Sequence, residues 1–388
     1  MLFIIGGKIL TMAGQVWERG YLRIEEGKIC ELGPMEQDCP VKIPEDAQVI
    51  WADGSIVMPG LIEAHCHMGI TEEKKGREGN DMNENVDPVT PWLRGIDAIN
   101  TMDAAFGDAV RAGITSAMIG PGSSNVVGGQ FVFLKTWGRC IDDLIVLEPA
   151  AMKVAFGENP KTNYGDQGSS PVTRMGIAGM LREELSKAVK YREQRISGEI
   201  EPDFRYECWL PVLEKRIPLK AHAHRADDIF TAMRIAREFD LLITLDHCTE
   251  GHLIAEKIAT SGYPAIVGPD LSSRNKIEVQ NLAFKTIGIL NKAGVKTAVM
   301  TDHPISLIQS LPICAGWAVK AGMKYMEALK AVTIYPAEIC RVDHRVGSLE
   351  VGKDADVAIF DGDPLEIKTK IRYTIINGEI AYMDKEEN

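Results

Sequence analysis

Two changes of pattern along the 388-residue chain predict an α/β fold, a (β/α)8 TIM-like barrel carrying a small composite β-sandwich domain built from both termini. From Leu61 to about Met300, apolar strand-like runs alternate with stretches whose apolar residues recur at helical spacing. On either side, the sequence turns to short alternating runs separated by glycines and polar turns.

Taken in order, residues 1–57 contain "LFIIGGKILTM", "GYLRIEEGKICEL" and "QVIWADGSIVM", which read as a small β unit. Over 58–339 the candidate strands are "LIEAHCH", "GITSAMIG", "FVFLK", "AMKVAFG", "PLKAHAH", "LLITLDH", "PAIVGP" and "KTAVMTDH", with "FVFLK" the weakest. Between them come stretches such as "DAAFGDAVRAG", "GIAGMLREELSKAVKYREQ" and "ADDIFTAMRIAREFD", whose apolar residues stand three and four apart, as one helix face requires. Eight strands with intervening helices close into a parallel barrel. In 340–388, "GSLEVGKDADVAIFDGD" and "IRYTIINGEIAYM" are again β-like. We expect them to pair with 1–57 in one discontinuous domain, because neither piece could bury a core alone.

Composition narrows the partners. A net charge of −12 and the lack of a basic stripe argue against nucleic acid, whose phosphates need a cationic face. The opening "MLFIIGGKIL" is short and broken by Gly6-Gly7, so neither a secretory nor a membrane segment is expected, and a cytoplasmic location follows. Cysteines at 30, 39, 66, 140, 208, 248, 314 and 340 form no CxxC pair, which fits reduced thiols rather than a disulfide frame or a zinc ribbon.

The chemistry gathers at strand ends. "AHCH" places His65 and His67 two apart, so strand alternation turns both to one side and Cys66 to the other. His222 and His224 end the fifth strand, His247 the sixth and Asp302 the eighth, while Lys153 lies in the fourth. In a parallel barrel those ends form the active-site mouth, and imidazole with carboxylate is a donor set for a catalytic divalent metal. An isolated HxH pair fits two packed histidines equally well. Packing does not explain ionisable residues on five separate strands, since buried charges need partners. His252 and His344 read as surface or packing residues, and His303 should point away from the site.

The ordered motifs "MPGLIEAHCH", "KAHAHR", "LDHCTE" and "TDHP", with the closing "GSLEVGKDADVAIFDG", resemble the amidohydrolase superfamily over nearly the whole chain, especially its imidazolonepropionase-like and prolidase-like members. The resemblance implies a metal-dependent hydrolase that cleaves a carbon–nitrogen bond of an amide, peptide-like or cyclic amide substrate. Matched motif by motif, it implies metal ligands His65, His67, His222, His247 and Asp302, with Lys153 standing where binuclear members carry a carboxylated lysine between two ions. It further implies one or two divalent ions per chain, zinc first among them, which activate a water near neutral pH. Asp302 would then move that water's proton to the leaving nitrogen.

Several positions stay open. Lys153 lies in an apolar run where an unmodified ammonium is expensive, but Glu158 is an alternative carboxylate. His224, in phase with His222, is left as a second layer behind the ligands or a substrate contact. Deaminases of the superfamily place a glutamate three residues after the ligand histidine; Arg225 stands there, which disfavours ring deamination and offers a partner for a substrate carboxylate. The Gly-rich "GPGSSNVVGGQ" lacks the GK[ST] of a phosphate loop and would aim Asn125 and Gln130 at the mouth. Tyr164, with Lys161 and Asn163, follows the fourth strand as a further candidate contact. The long charged segment after the first strand is a lid or a solvated loop. The expected partner is a small-molecule substrate, with no nucleic acid and no membrane, and many such relatives are homo-oligomers. A mononuclear deaminase or cyclohydrolase and a catalytically silent scaffold stand as alternatives; retention of the ligand set argues against the second.

Overall fold

The computed structural model describes residues 1–36, 40–73 and 76–384; Cys39 lies outside them. Seven strands precede the barrel: β1 (Leu2–Ile5), β2 (Lys8–Leu10), β3 (Val16–Trp17), β4 (Gly20–Glu25), β5 (Lys28–Pro34), β6 (Gln48–Trp51) and β7 (Ile56–Pro59). The barrel strands are β8 (Leu61–Cys66), β9 (Ile114–Ile119), β10 (Val127–Lys135), β11 (Ile145–Ala155), β12 (Leu219–Ala223), β13 (Ile243–His247), β14 (Ala265–Val267) and β15 (Thr297–Val299). The chain ends with β16 (Val357–Phe360), β17 (Ile371–Ile376) and β18 (Glu379–Met383).

The terminal strands form two sheets. One has the order β5-β4-β1-β6; the other, β18-β17-β16-β7-β2-β3, mixes strands from both ends of the chain. Its seam is the antiparallel pair β7–β16, with Val57 opposite Ile359. Alternation along these strands sends Ile4, Leu22, Ile24, Val57, Val357, Ile359 and Ile375 into one apolar core shared by the two sheets.

β8 to β15 lie in chain order in one eight-stranded sheet. It is parallel as the sequence suggests, except at β10, which runs antiparallel to both β9 and β11. The connections explain the exception. Segments 120–126 and 136–144 are shorter than the dozen or so residues a crossover needs, so the chain reverses as hairpins. "FVFLK", the weakest strand candidate, is the buried C-terminal half of β10, and the Gly-rich stretch before it runs directly into that strand.

The outer helices form for ordinary reasons. In Ala226–Glu238, Ile229, Ala232, Met233 and Ala236 recur at helical spacing and are buried, while Asp227 and Asp228 sit in the first turn, where carboxylates favour the free N–H groups. Helix Arg174–Ser197 starts on Thr173, whose hydroxyl accepts from the Gly176 N–H, and stops at Gly198 in the left-handed conformation. Among the described residues, no helix is long and apolar enough to cross a membrane, and Cys30, Cys66, Cys140, Cys208, Cys248, Cys314 and Cys340 are free thiols.

Candidate metal centre

β8 delivers His65 and, just past its end, His67; β12 delivers His222 and then His224; β13 ends on His247; Asp302 follows β15. None of these side chains belongs to a residue more than 8% exposed. They form two groups, His65–His67–Asp302 and His222–His224–His247, each with donor atoms within 4.8 Å of one another. The His65 and His247 rings, 5.5 Å apart between centroids, join the two groups. Cys66 points away, its Sγ toward the Met118 carbonyl.

Hydrogen bonds on the far side of each ring decide what it presents to the centre. His65 Nδ1 lies 2.5 Å from Asp246 Oδ2, His67 Nδ1 2.7 Å from Gly120 O, and His247 Nδ1 3.0 Å from Gly268 O. An ionised carboxylate and a carbonyl only accept, so these Nδ1 atoms carry the proton and each Nε2 presents a lone pair. His224 Nδ1 is anchored on Thr249 Oγ1 at 2.7 Å. Burial holds His65, His222 and His247 far below the usual imidazole range and His224 at about 3, so these rings are neutral.

Asp302 Oδ1 stands 3.2 Å from His67 Nε2 and 3.6 Å from His65 Nε2, yet makes no hydrogen bond. His247 Nε2 also lacks a partner, and His222 Nε2 has only Asn159 Nδ2, at 3.4 Å. Buried lone pairs facing one another are costly unless a cation lies between them. The donor chemistry, neutral imidazoles and one carboxylate, fits a divalent ion such as zinc.

Lys153 is fully buried on β11, with Nζ 3.1 Å from His65 Nε2, and burial brings its ammonium down to about 8. Across the β11–β12 pairing stands Lys220, whose Nζ donates to Ala64 O at 2.9 Å and lies 3.1 Å from Asp246 Oδ2. Glu158, the alternative carboxylate, opens helix Glu158–Asp166 and accepts from the Glu278 N–H at 3.3 Å.

Three residues that support the centre went unnamed in the sequence reading: Glu63, Lys220 and Asp246. Glu63 accepts from the His65 N–H at 3.0 Å and from the Thr301 N–H and hydroxyl at 2.8 and 2.7 Å, while burial raises its carboxyl to about 7. Glu63 is in phase with His65 and His67, and Lys220 with His222, so strand alternation carried a signal for both. Asp246 directly precedes His247, and both reach the centre. His247 (φ 75°) and Asp302 (φ 53°) adopt left-handed backbone, so alternation stops being a guide at those strand ends.

A cavity of about 570 Å³ opens over both groups, lined by His67, His222, His224, His247 and Asp302 together with Ser123, Asn159, Ser272 and Lys276. Of the candidate substrate contacts, His224 lines it, whereas Arg225, Asn125, Gln130, Lys161, Asn163 and Tyr164 do not. Asn125 donates to the carbonyls of Glu84 and Asp87, both at 2.7 Å, and Tyr164 Oη reaches Glu84 O at 3.4 Å. Their polar atoms are taken up by the backbone of 84–87. Arg225 forks onto Asp227 at 2.9 and 3.0 Å, a carboxylate always within reach on the same chain segment. Gln130 lies within β10 and donates to Pro91 O at 3.2 Å. These bonds hold residues 84–91 in place, and just before them Met82 and Asn83 join the cavity wall.

A sequence model of the amidohydrolase family matches residues 217–385. The chain is 28% identical to the amidohydrolase tasK of Hapsidospora irregularis over 96% of its own length, and spans 41% of that protein. It is 26% identical to an imidazolonepropionase of Rhizorhabdus wittichii, with 96% of each chain covered. The crystal structure of an amidohydrolase from Thermotoga maritima is 36% identical, with a TM-score of 0.94 over 99% of this chain and 100% of that one. On a likeness that runs the whole length of the molecule, the chain belongs to the amidohydrolase family, hydrolases acting on carbon–nitrogen bonds.

Proposed function

We propose that the protein hydrolyses an amide, peptide-like or cyclic amide bond of a small molecule with the help of one or two divalent ions, zinc first among them, held by His65, His67, Lys153, His222, His247 and Asp302. The observation that carries this reading is the convergence of partnerless lone pairs, Asp302 Oδ1 and His247 Nε2 among them, in a buried cleft beneath a cavity. When bound, such an ion supplies Lewis acidity and lowers the pKa of a water toward neutrality.

The chain's own residues do the rest. Asp302, at the cavity floor, takes the proton of the attacking water and carries it to the leaving nitrogen, which would otherwise depart as a strong base. Asp246 and the carbonyls of Gly120 and Gly268 fix the imidazoles in one tautomer and orientation. Lys153, as a carbamate, becomes an anion beside His65 instead of an amine. Lys276 is the cation lining the cavity and takes the role of pairing a substrate carboxylate that the sequence suggested for Arg225.

A panel of N-acyl amino acids, dipeptides, lactam-like rings and aminopurines, incubated with metal-loaded protein and followed by amine and ammonia release, tests this. Amine or carboxylate release from an amide is the expected result. Ammonia release from an aminopurine with no turnover of any amide would replace it with a deaminase.

A further inference from the structure

We propose that Glu278 is a further metal ligand, supplying the carboxylate of the His222–His224–His247 group. The proposal rests on the metal-hydrolase reading above and adds to it a residue that lies outside every motif.

Glu278 sits on the turn Ile277–Val279 between β14 and β15 and is 1% exposed. Its Oε2 is fixed by the Glu158 N–H at 2.9 Å, and Glu158 answers by accepting from the Glu278 N–H at 3.3 Å. Gly157 (φ 85°) makes the approach possible: a Cβ there would come within 2.9 Å of Glu278 Oε2 and of Asp228 Oδ2. The other oxygen, Oε1, has no hydrogen-bond partner. It faces the histidines, 3.9 Å from His222 Nε2 and 3.8 Å from His224 Nε2.

These separations are close to those of a shared ion. Two ligands bound tetrahedrally at about 2.0–2.2 Å stand roughly 3.3–3.6 Å apart, so Oε1 and either nitrogen need to close by only a few tenths of an ångström to meet on one ion. Charge argues the same way. Asp302 brings a full negative charge to the first group, whereas the second holds three imidazoles and at most a share of the Lys153 carbamate, so a further carboxylate there supplies charge that a buried divalent ion otherwise lacks. Lys276 Nζ, 3.7 Å from Oε1 and bonded to Asn159 Oδ1 at 2.5 Å, shows that the position draws positive charge without closing the direct contact. At 1% exposure Glu278 admits a bare ion more readily than a bulky substrate cation.

The test is titration of chelator-treated full-length protein with Co2+, reading stoichiometry by equilibrium dialysis and ligand identity by visible absorption. Wild type should bind two ions. Glu278→Gln, which keeps the shape and removes the charge, should weaken one of them by about tenfold or more and alter its absorption band, leaving the other unchanged. Glu278→Asp, which keeps the charge on a shorter arm, should fall between and guards against a folding defect in the first variant. Wild-type affinity and spectrum in both variants overturn the proposal while the metal-hydrolase reading stands. A wild type that binds no divalent ion overturns both.

Discussion

Two buried lysines on neighbouring barrel strands teach opposite lessons. Lys135 Nζ, on β10, lies 2.5 Å from Asp356 Oδ2 and 3.0 Å from Asp354 Oδ2; Asp354 in turn meets Lys28 at 2.5 Å and Arg345 at 2.8 Å. The second oxygen of Asp356 accepts from the Asn377 N–H at 3.0 Å. Each charge there meets an opposite charge, and the cluster ties the barrel to the C-terminal strands. Lys153, on β11, instead meets a ring nitrogen, in a region where Asp302 Oδ1, His222 Nδ1 and His247 Nε2 are left without partners. Burial of a charge does not by itself mark a functional site. Burial with the partners missing does, because the fold then carries a cost that something outside the chain must offset.

Asp302→Asn should test that contrast hardest. It keeps an oxygen at the centre and removes the proton carrier, so kcat on the best amide of the panel should fall by about 10³-fold while the protein stays folded by circular dichroism. Turnover near the wild-type rate would remove Asp302 from the mechanism. On the other side, Lys135→Met leaves Asp354 and Asp356 without their shared cation. Urea unfolding should report a loss of about 3–5 kcal/mol, with kcat of the folded protein unchanged. A loss below about 1 kcal/mol would show that Lys28 and Arg345 suffice to hold the cluster.

A smaller effect should appear in acid. Burial pushes the Asp354 carboxyl up, but Lys135, Lys28 and Arg345 outweigh it and bring the group from 3.8 to about 2. A carboxyl depressed in the folded state contributes stability that is present above its unfolded pKa and is lost as pH falls through the folded value. The unfolding midpoint should therefore drop between pH about 4 and about 2, and less steeply in Asp354→Asn; equal slopes would refute the assignment. The smallest effect belongs to Arg225→Ala. Because Arg225 is paired with Asp227 and does not line the cavity, KM and kcat should stay within about twofold and stability within about 1 kcal/mol. A tenfold rise in KM would restore it as a substrate contact.

The barrel was readable because the hydrophobic period switches between two and 3.6 residues, and the side chains that meet at its mouth because His65, His67, His222 and Asp302 close apolar runs. The direction of β10 was not readable from the strand itself, since the length of its two connections sets it. Asn125 and Tyr164 look like mouth residues in the sequence, but the carbonyls that satisfy them come from segment 84–87, which lies far from both in the chain. Glu278 gave no signal, because a turn has no periodicity to extrapolate and its clasp with Glu158 forms only when the loops after β11 and β14 meet.

The left-handed backbone at His247 and Asp302 bears on how such a chain can evolve. A residue with a Cβ held in that conformation costs of order 1 kcal/mol, which glycine relieves outright and asparagine in part. At both positions, then, glycine, the substitution that relaxes the backbone fully, is also one that removes a side chain of the candidate centre. On the proposed function, glycine at either position would trade turnover for a small gain in backbone stability, and selection for turnover is the force that opposes it.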